Sequence, residues 1–142
     1  MSTDIIESFI LKAEHDLIVA DQTIKSHPTL TDIIAFHCQQ TIEKSFKAYL
    51  INLKIKTASN HAIIELFRQC LETDDEFNKL NLEVLYRIDD VGMSVRYSDI
   101  DSDPGIEEIP SFFETAKICL LLVLKKLAEK GKTINITFPL QP

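Results

Sequence analysis

Apolar residues recur every three or four positions along almost the whole chain, and runs that alternate like a strand are nearly absent. A chain patterned this way buries one stripe on each of several helices, so its core is built from helices and not from a sheet. The first helix is expected from about Asp4 to Lys25, with Ile5, Phe9, Ala13, Leu17, Ala20 and Ile24 on one face. Ser26-His27-Pro28 ends it. Thr29 or Thr31 can cap a second helix that runs to about Lys54, with Ala35, Cys38, Ile42, Phe46, Tyr49 and Leu53 as its apolar arc. Asn60 is the expected cap of a shorter third helix whose inward residues are Ile63, Ile64, Phe67, Cys70 and Leu71. After a turn at Thr73-Asp74-Asp75, a fourth helix carries Phe77, Leu80, Val84, Ile88, Val91 and Val95.

A loop follows from Tyr97 to Glu108, marked by Pro104-Gly105, and Pro110 suits the first turn of a last helix that runs to about Lys130. On that helix Phe112, Phe113, Ala116, Leu120, Val123, Leu124 and Leu127 fill one face, while Ile118, Leu121 and Leu122 occupy much of the other. A helix apolar nearly all round is either central in its bundle or covered by a partner. That argues for a homodimer, with a central helix as the alternative. The end of the chain, TINITFPLQP, alternates and is β-branched. It suits a short edge strand or a clamp, and at this length is taken as a tail. The expectation is an all-α, up-and-down antiparallel bundle of four to five helices over residues 1–132, with a C-terminal tail at 133–142.

With 142 residues and no repeat or linker, this is one domain, large enough to bury a core without a metal or disulfide staple. Cys38, Cys70 and Cys119 form no CxxC and sit in apolar helical stretches, as reduced core residues of a cytoplasmic protein would. No leader pattern opens the sequence, and the longest apolar run, Ile118 to Leu124, is too short to cross a bilayer. The net charge of −7 disfavours broad coating of a nucleic acid. Gly92, Gly105 and Gly131 form neither a dinucleotide fingerprint nor a P-loop. No HExxH or His pair four residues apart suggests a metal, and no cofactor is expected.

The second helix carries the candidate chemistry. On its wheel His37, Gln40, Lys44 and Lys47 fall in one stripe of donors, with Glu43 at its edge and the apolar arc elsewhere. Charged helix residues usually form a plain solvated face. Gln and His are unusual choices for such a face, which favours a binding stripe. Asp16 lies just inside the edge of the first helix's apolar face, where a carboxylate is costly unless paired. It is either a boundary residue reaching water or the acid of a salt bridge with Lys44 or Arg96. Arg96 and Tyr97, at the end of the fourth helix, can bind phosphate and stack a base; a helix cap explains Arg96 equally well. His61, in the first turn of the third helix, suits a neutral imidazole making a local hydrogen bond.

Four pieces, in order, resemble the HEPN family, the higher eukaryote and prokaryote nucleotide-binding domain. They are KAEHDLIVA from Lys12, FHCQQTIEKSFKAYL from Phe36, NHAIIELF from Asn60 and RYSD from Arg96. The second is close to the family's His-x-Gln-Gln-x-x-Glu-Lys-x-x-Lys-Ala signature. The resemblance implies a HEPN-like bundle, often dimeric, and carries the family's polar motif onto Asp16, His37, Gln40, Glu43, Lys44, Lys47, His61, Arg96 and Tyr97. It also implies one of two activities. Some members are metal-independent ribonucleases, often toxins paired with a small nucleotidyltransferase; others are non-catalytic partners of such proteins. Ribonuclease members carry an Arg followed by four to six residues and a His. After Arg96 those places hold Asp101, Ser102 and Asp103, and neither Arg68 nor Arg87 has such a His. The expectation is therefore a non-catalytic module associated with nucleotide or RNA. The alternatives are a ribonuclease with a variant site on Arg96, Tyr97 and His61 or His37, and a purely structural bundle.

Overall fold

The computed structural model describes residues 4–58, 62–94 and 103–140. Within them run five α-helices: α1 (Ile5–Ser26), α2 (Thr31–Asn52), α3 (Ile63–Thr73), α4 (Leu82–Ser94) and α5 (Ile109–Glu129). No strand occurs among the described residues. The all-α bundle expected from periodicity is the fold.

Apart from α3, each helix starts for a local reason, and two of those reasons differ from expectation. The Asp4 carboxylate accepts from the Ile6 N–H at 2.9 Å and opens α1. Helix α2 takes no cap from Thr29 or Thr31. Its cap position is Leu30, whose N–H donates to the His27 carbonyl at 3.0 Å, and Thr31 is already its first residue. Phe77 and Leu80 precede α4 instead of riding on it. The Asp74 carboxylate accepts from Glu76 N–H and starts a separate 3-10 turn, Asp75–Lys79. Pro110 stands in the first turn of α5, where its missing N–H costs nothing.

The buried stripe of α1 is rotated from the expected one at its start. Ile6 and Ile10 are buried, whereas Ile5 is 58% exposed and Phe9 only half-buried. In the first two turns Ile5 and Phe9 on one side, and Ile6 and Ile10 on the other, offer two nearly equivalent faces, and packing against the other helices selects one. The central helix is α2, which touches all four others and is buried over most of its circumference. Its Phe46 sits in an aromatic cluster, 6.4 Å from the Phe67 ring and 6.0 Å from Phe77. Cys38, Cys70 and Cys119 are free and buried, and burial pushes the Cys38 thiol up to about 12.

Helix α4 packs against α2 at unusually short range. A Cβ on Gly92 would lie 2.7 Å from Cβ of Gln39, so only glycine lets the two backbones meet here. Gly92→Ala is expected to lower stability by about 1–2 kcal/mol, since overpacking outweighs the gain in helix propensity. Urea unfolding measures this; a stabilised variant would show that the helices move apart freely.

Helix α5 is neither central nor apolar on every exposed side. Ile118 is 44% exposed, and Leu122 is buried. Its Phe113 edge is covered by the end of the chain. After Gly131, residues 133–140 run without helix or strand and bend at Phe138, with Ile134, Ile136, Phe138 and Leu140 packed on the core. Phe138 meets Phe113 edge-on at 6.2 Å between ring centroids. The alternating, β-branched pattern is thus used without a strand partner.

Candidate functional site

Two acids lie on opposite edges of α1's buried arc, Asp16 toward α2 and Glu14 toward the end of the chain. Asp16 builds the site. One carboxylate oxygen accepts from His37 Nδ1 at 2.8 Å and the other from the ammonium of Lys44. A carboxylate only accepts, so Nδ1 carries the proton in that bond. His37 and Lys44 are seven positions apart, two helical turns, which brings both over one residue of the neighbouring helix. The Phe36 ring stands edge-on to the imidazole at 5.3 Å. Thr41 Oγ1 lies 3.2 Å from the Ala13 carbonyl oxygen, marking how closely α1 and α2 approach beneath the pair.

The stripe continues across the outer sector of α2. Lys47 Nζ lies 3.4 Å from Glu43, and Gln40 donates to Gln39 at 2.7 Å. His37, Lys44 and Lys47 leave 23%, 22% and 18% of their side chains exposed, so the stripe is half-buried and not a freely solvated face. On its far side stands Asp89 of α4. Its carboxylate accepts from the Ile63 N–H at 3.1 Å, and from Ile64 N–H and the Gln39 side chain. Asp89 thereby caps α3 from another helix, with Ala62 at the cap position and no side-chain bond of its own.

Charge along the stripe changes sign from one side to the other. Burial raises the Asp16 carboxyl, but the hydrogen bonds from His37 and Lys44 outweigh it and hold the group below the usual carboxylate range. Burial also raises Asp89, and here the effect prevails, reinforced by Glu43. The α1 side therefore presents an imidazole and an ammonium tied to one firmly ionised acid. The α4 side presents acids, which repel a phosphate.

A depressed folded-state pKa gives stability that is present above the unfolded value, about 4, and lost as pH falls through the folded value. Asp16 acts in this direction. So do Glu76, held at about 2 by Lys125 and Lys126, Asp74 beside Lys126, and Glu108 under Arg87. Asp89, raised, acts oppositely and offsets part of the loss. The urea midpoint is expected to fall between pH 5 and pH 2, and to fall less steeply in Asp16→Asn. A midpoint that holds constant to pH 2 would contradict this.

Of the residues singled out in the sequence, Asp16, His37 and Lys44 come together, and Glu43, Lys47 and Gln40 lie beside them. Asp16 pairs with Lys44, one of the two partners expected. His61, Arg96, Tyr97 and the capping residue Asn60 lie outside the described residues. Sequence reasoning missed Gln39, Asp89 and Glu14. Gln39 is fully buried between Gln40 and Asp89, and the adjacent Gln-Gln pair was the available signal. Nothing local marks Asp89, whose role comes from a helix start 26 residues away. Among the described residues no group of three His, Cys, Asp or Glu is placed to hold a metal ion. Arg87 grips Glu108 through Nε at 2.7 Å and Nη2 at 3.1 Å, joining α4 to the start of α5.

Residues 6–127 match the HEPN domain family, and the chain belongs to it. No curated protein and no solved structure matches the chain at a significant level. Among the described residues no helix is long and apolar enough to cross a membrane.

Proposed function

We propose that this chain is a non-catalytic HEPN-type binding module, associated with nucleotide or nucleic acid. It acts as a homodimer or with a small nucleotidyltransferase in a toxin–antitoxin-like system. The observation that supports it best is the Asp16 carboxylate shared by His37 and Lys44. A buried acid that fixes two donors at a half-open edge orders them before a ligand arrives, which lowers the cost of binding. Lys44, Lys47, Gln40 and His37 would meet a phosphate-bearing ligand, with Arg96 and Tyr97 added on the strength of the sequence motif. Asp16, Glu43 and His61 would support them. The non-catalytic part rests on the missing Arg-x4-6-His arrangement.

Thermal unfolding with and without millimolar ATP tests this reading. A ligand at a hundred times its Kd adds about 2.7 kcal/mol, a shift of several degrees. The shift is expected in the parent protein and lost in Lys44→Ala/Lys47→Ala. No shift with any nucleotide removes the small-molecule form of the proposal. Cleavage of RNA by the purified protein, abolished by Arg96→Ala, would replace it with the ribonuclease reading.

A second reading has its own observation. His37, Gln40, Lys44 and Lys47 each already have a partner within the chain. If the stripe only holds α1 on α2, Lys44→Ala lowers stability and changes no binding.

A further inference from the structure

The end of the chain is held in a way that does not require it to come from the same molecule. Glu14 is buried to 5% exposure on α1, and its Oε2 accepts from the N–H groups of Thr137 and Phe138, both at 2.8 Å, and lies 3.2 Å from Thr137 Oγ1. All of these donors belong to the terminal segment. Lys132 pairs with Asp4 at the start of α1, and Phe138 closes on Phe113 of α5. The segment therefore lies along α1, from its first residue past its middle, in the groove that α1 makes with α5. Its even-numbered residues from 132 to 140 are half-buried and its odd-numbered ones exposed, the alternation of an extended peptide.

Its joint to the bundle is narrow. Gly131 has φ +85°, a conformation that L side chains disfavour, and an added Cβ there would meet nothing within 4 Å. This single left-handed residue reverses the chain at the end of α5. From Thr133 to Leu140 the hydrogen bonds to the bundle all run to the Glu14 side chain, and none joins main chain to main chain.

We propose that residues 132–140 are an exchangeable strap. The groove between α1 and α5 takes this segment from its own chain in a monomer and from a second copy in a dimer, each copy supplying the donors of the other's Glu14. Every side-chain contact of the strap and both main-chain bonds to Glu14 are reproduced in the exchanged form; what is lost is the turn at Gly131, with the Lys132 N–H bond to the Leu127 carbonyl at 2.9 Å. Exchange of a terminal element between identical chains is a low-cost route to a dimer for this reason. The inference deepens the dimer part of the proposed function and is independent of whether the Asp16 site binds nucleotide.

The test uses the full chain. Isotopically light and heavy protein are mixed in urea, refolded together at high concentration and separated by size. Each fraction is treated with a zero-length carbodiimide, which joins a carboxylate to a touching ammonium. The expected result is an Asp4–Lys132 amide of mixed isotope in the dimer fraction, while the Asp16–Lys44 amide is single-isotope in every fraction. Gly131→Val, which strains only the closed turn, is expected to raise the dimer association constant by about tenfold for each turn opened. The exchange is overturned if parent and Gly131→Val both stay monomeric. It is equally overturned if a dimer forms whose Asp4–Lys132 amide is always single-isotope; that outcome leaves the homodimer standing and places its contact elsewhere.

Discussion

Asp16→Ala is expected to lower the unfolding free energy by roughly 3 kcal/mol, near the low end of what breaking a buried ion pair costs. The substitution leaves the ammonium of Lys44 and the Nδ1 donor of His37 without their acceptor at the α1–α2 contact. Because about a fifth of each donor side chain still reaches water, the loss stays below the cost of a sealed pair. Asp16→Asn keeps the shape and an acceptor oxygen and should lose less. Urea titration with an unchanged m value measures both. A loss under about 1 kcal/mol in Asp16→Ala would mean that the bridge is a solvent-screened surface pair. The same variant informs function: if nucleotide protection vanishes while the protein remains folded, the acid acts by positioning its two donors.

Phe46→Ala should cost more still, about 3–5 kcal/mol, with a fall in Tm of about 10 °C or more. Phe46 is fully buried on the central helix, between Phe67 of α3 and Phe77 of the 3-10 turn. Tyr49, one turn further along, packs on the same Phe77 ring at 4.8 Å. Removing the phenyl group opens a cavity where three elements meet, and none can close it without leaving another contact. Phe46→Leu fills part of the space and should lose well under half as much. A small effect of Phe46→Ala would show that the cluster collapses readily and that α3 and the 3-10 turn are loosely held.

Much of this architecture was legible in the sequence because period alone reports it. The five helices, the Pro110 start and the breaks after Ser26 and Thr73 all follow from local residue types. What periodicity could not give was the choice between two adjacent faces. Ile5 and Ile6 are both apolar, and only the packed neighbours decide that Ile6 is buried. The central position of α2 was hidden for a related reason: Gln39, Thr41, Ser45 and Glu43 are buried polar residues, so its wheel looks amphipathic while its surroundings are not. The apolar breadth of α5 pointed to a central place or a partner. Its Phe113 side is covered by Phe138 of the chain's own end, a contact that no local rule connects. At the site, the misplaced acid Asp16 and the donor stripe were visible as anomalies. The acids facing them from Asp89 and the grip of Glu14 on the terminal segment arise from residues far apart in sequence.

The remote start of α3 has a dynamic consequence. A helix capped by its own neighbour in sequence can fray one residue at a time. The first turn of α3 instead hangs from a carboxylate on α4, and that stretch of α4 is pinned by the close approach at Gly92. Opening the Ile63 amide therefore requires α4 to lift, so the two helices should exchange their protons with solvent as one cooperative unit.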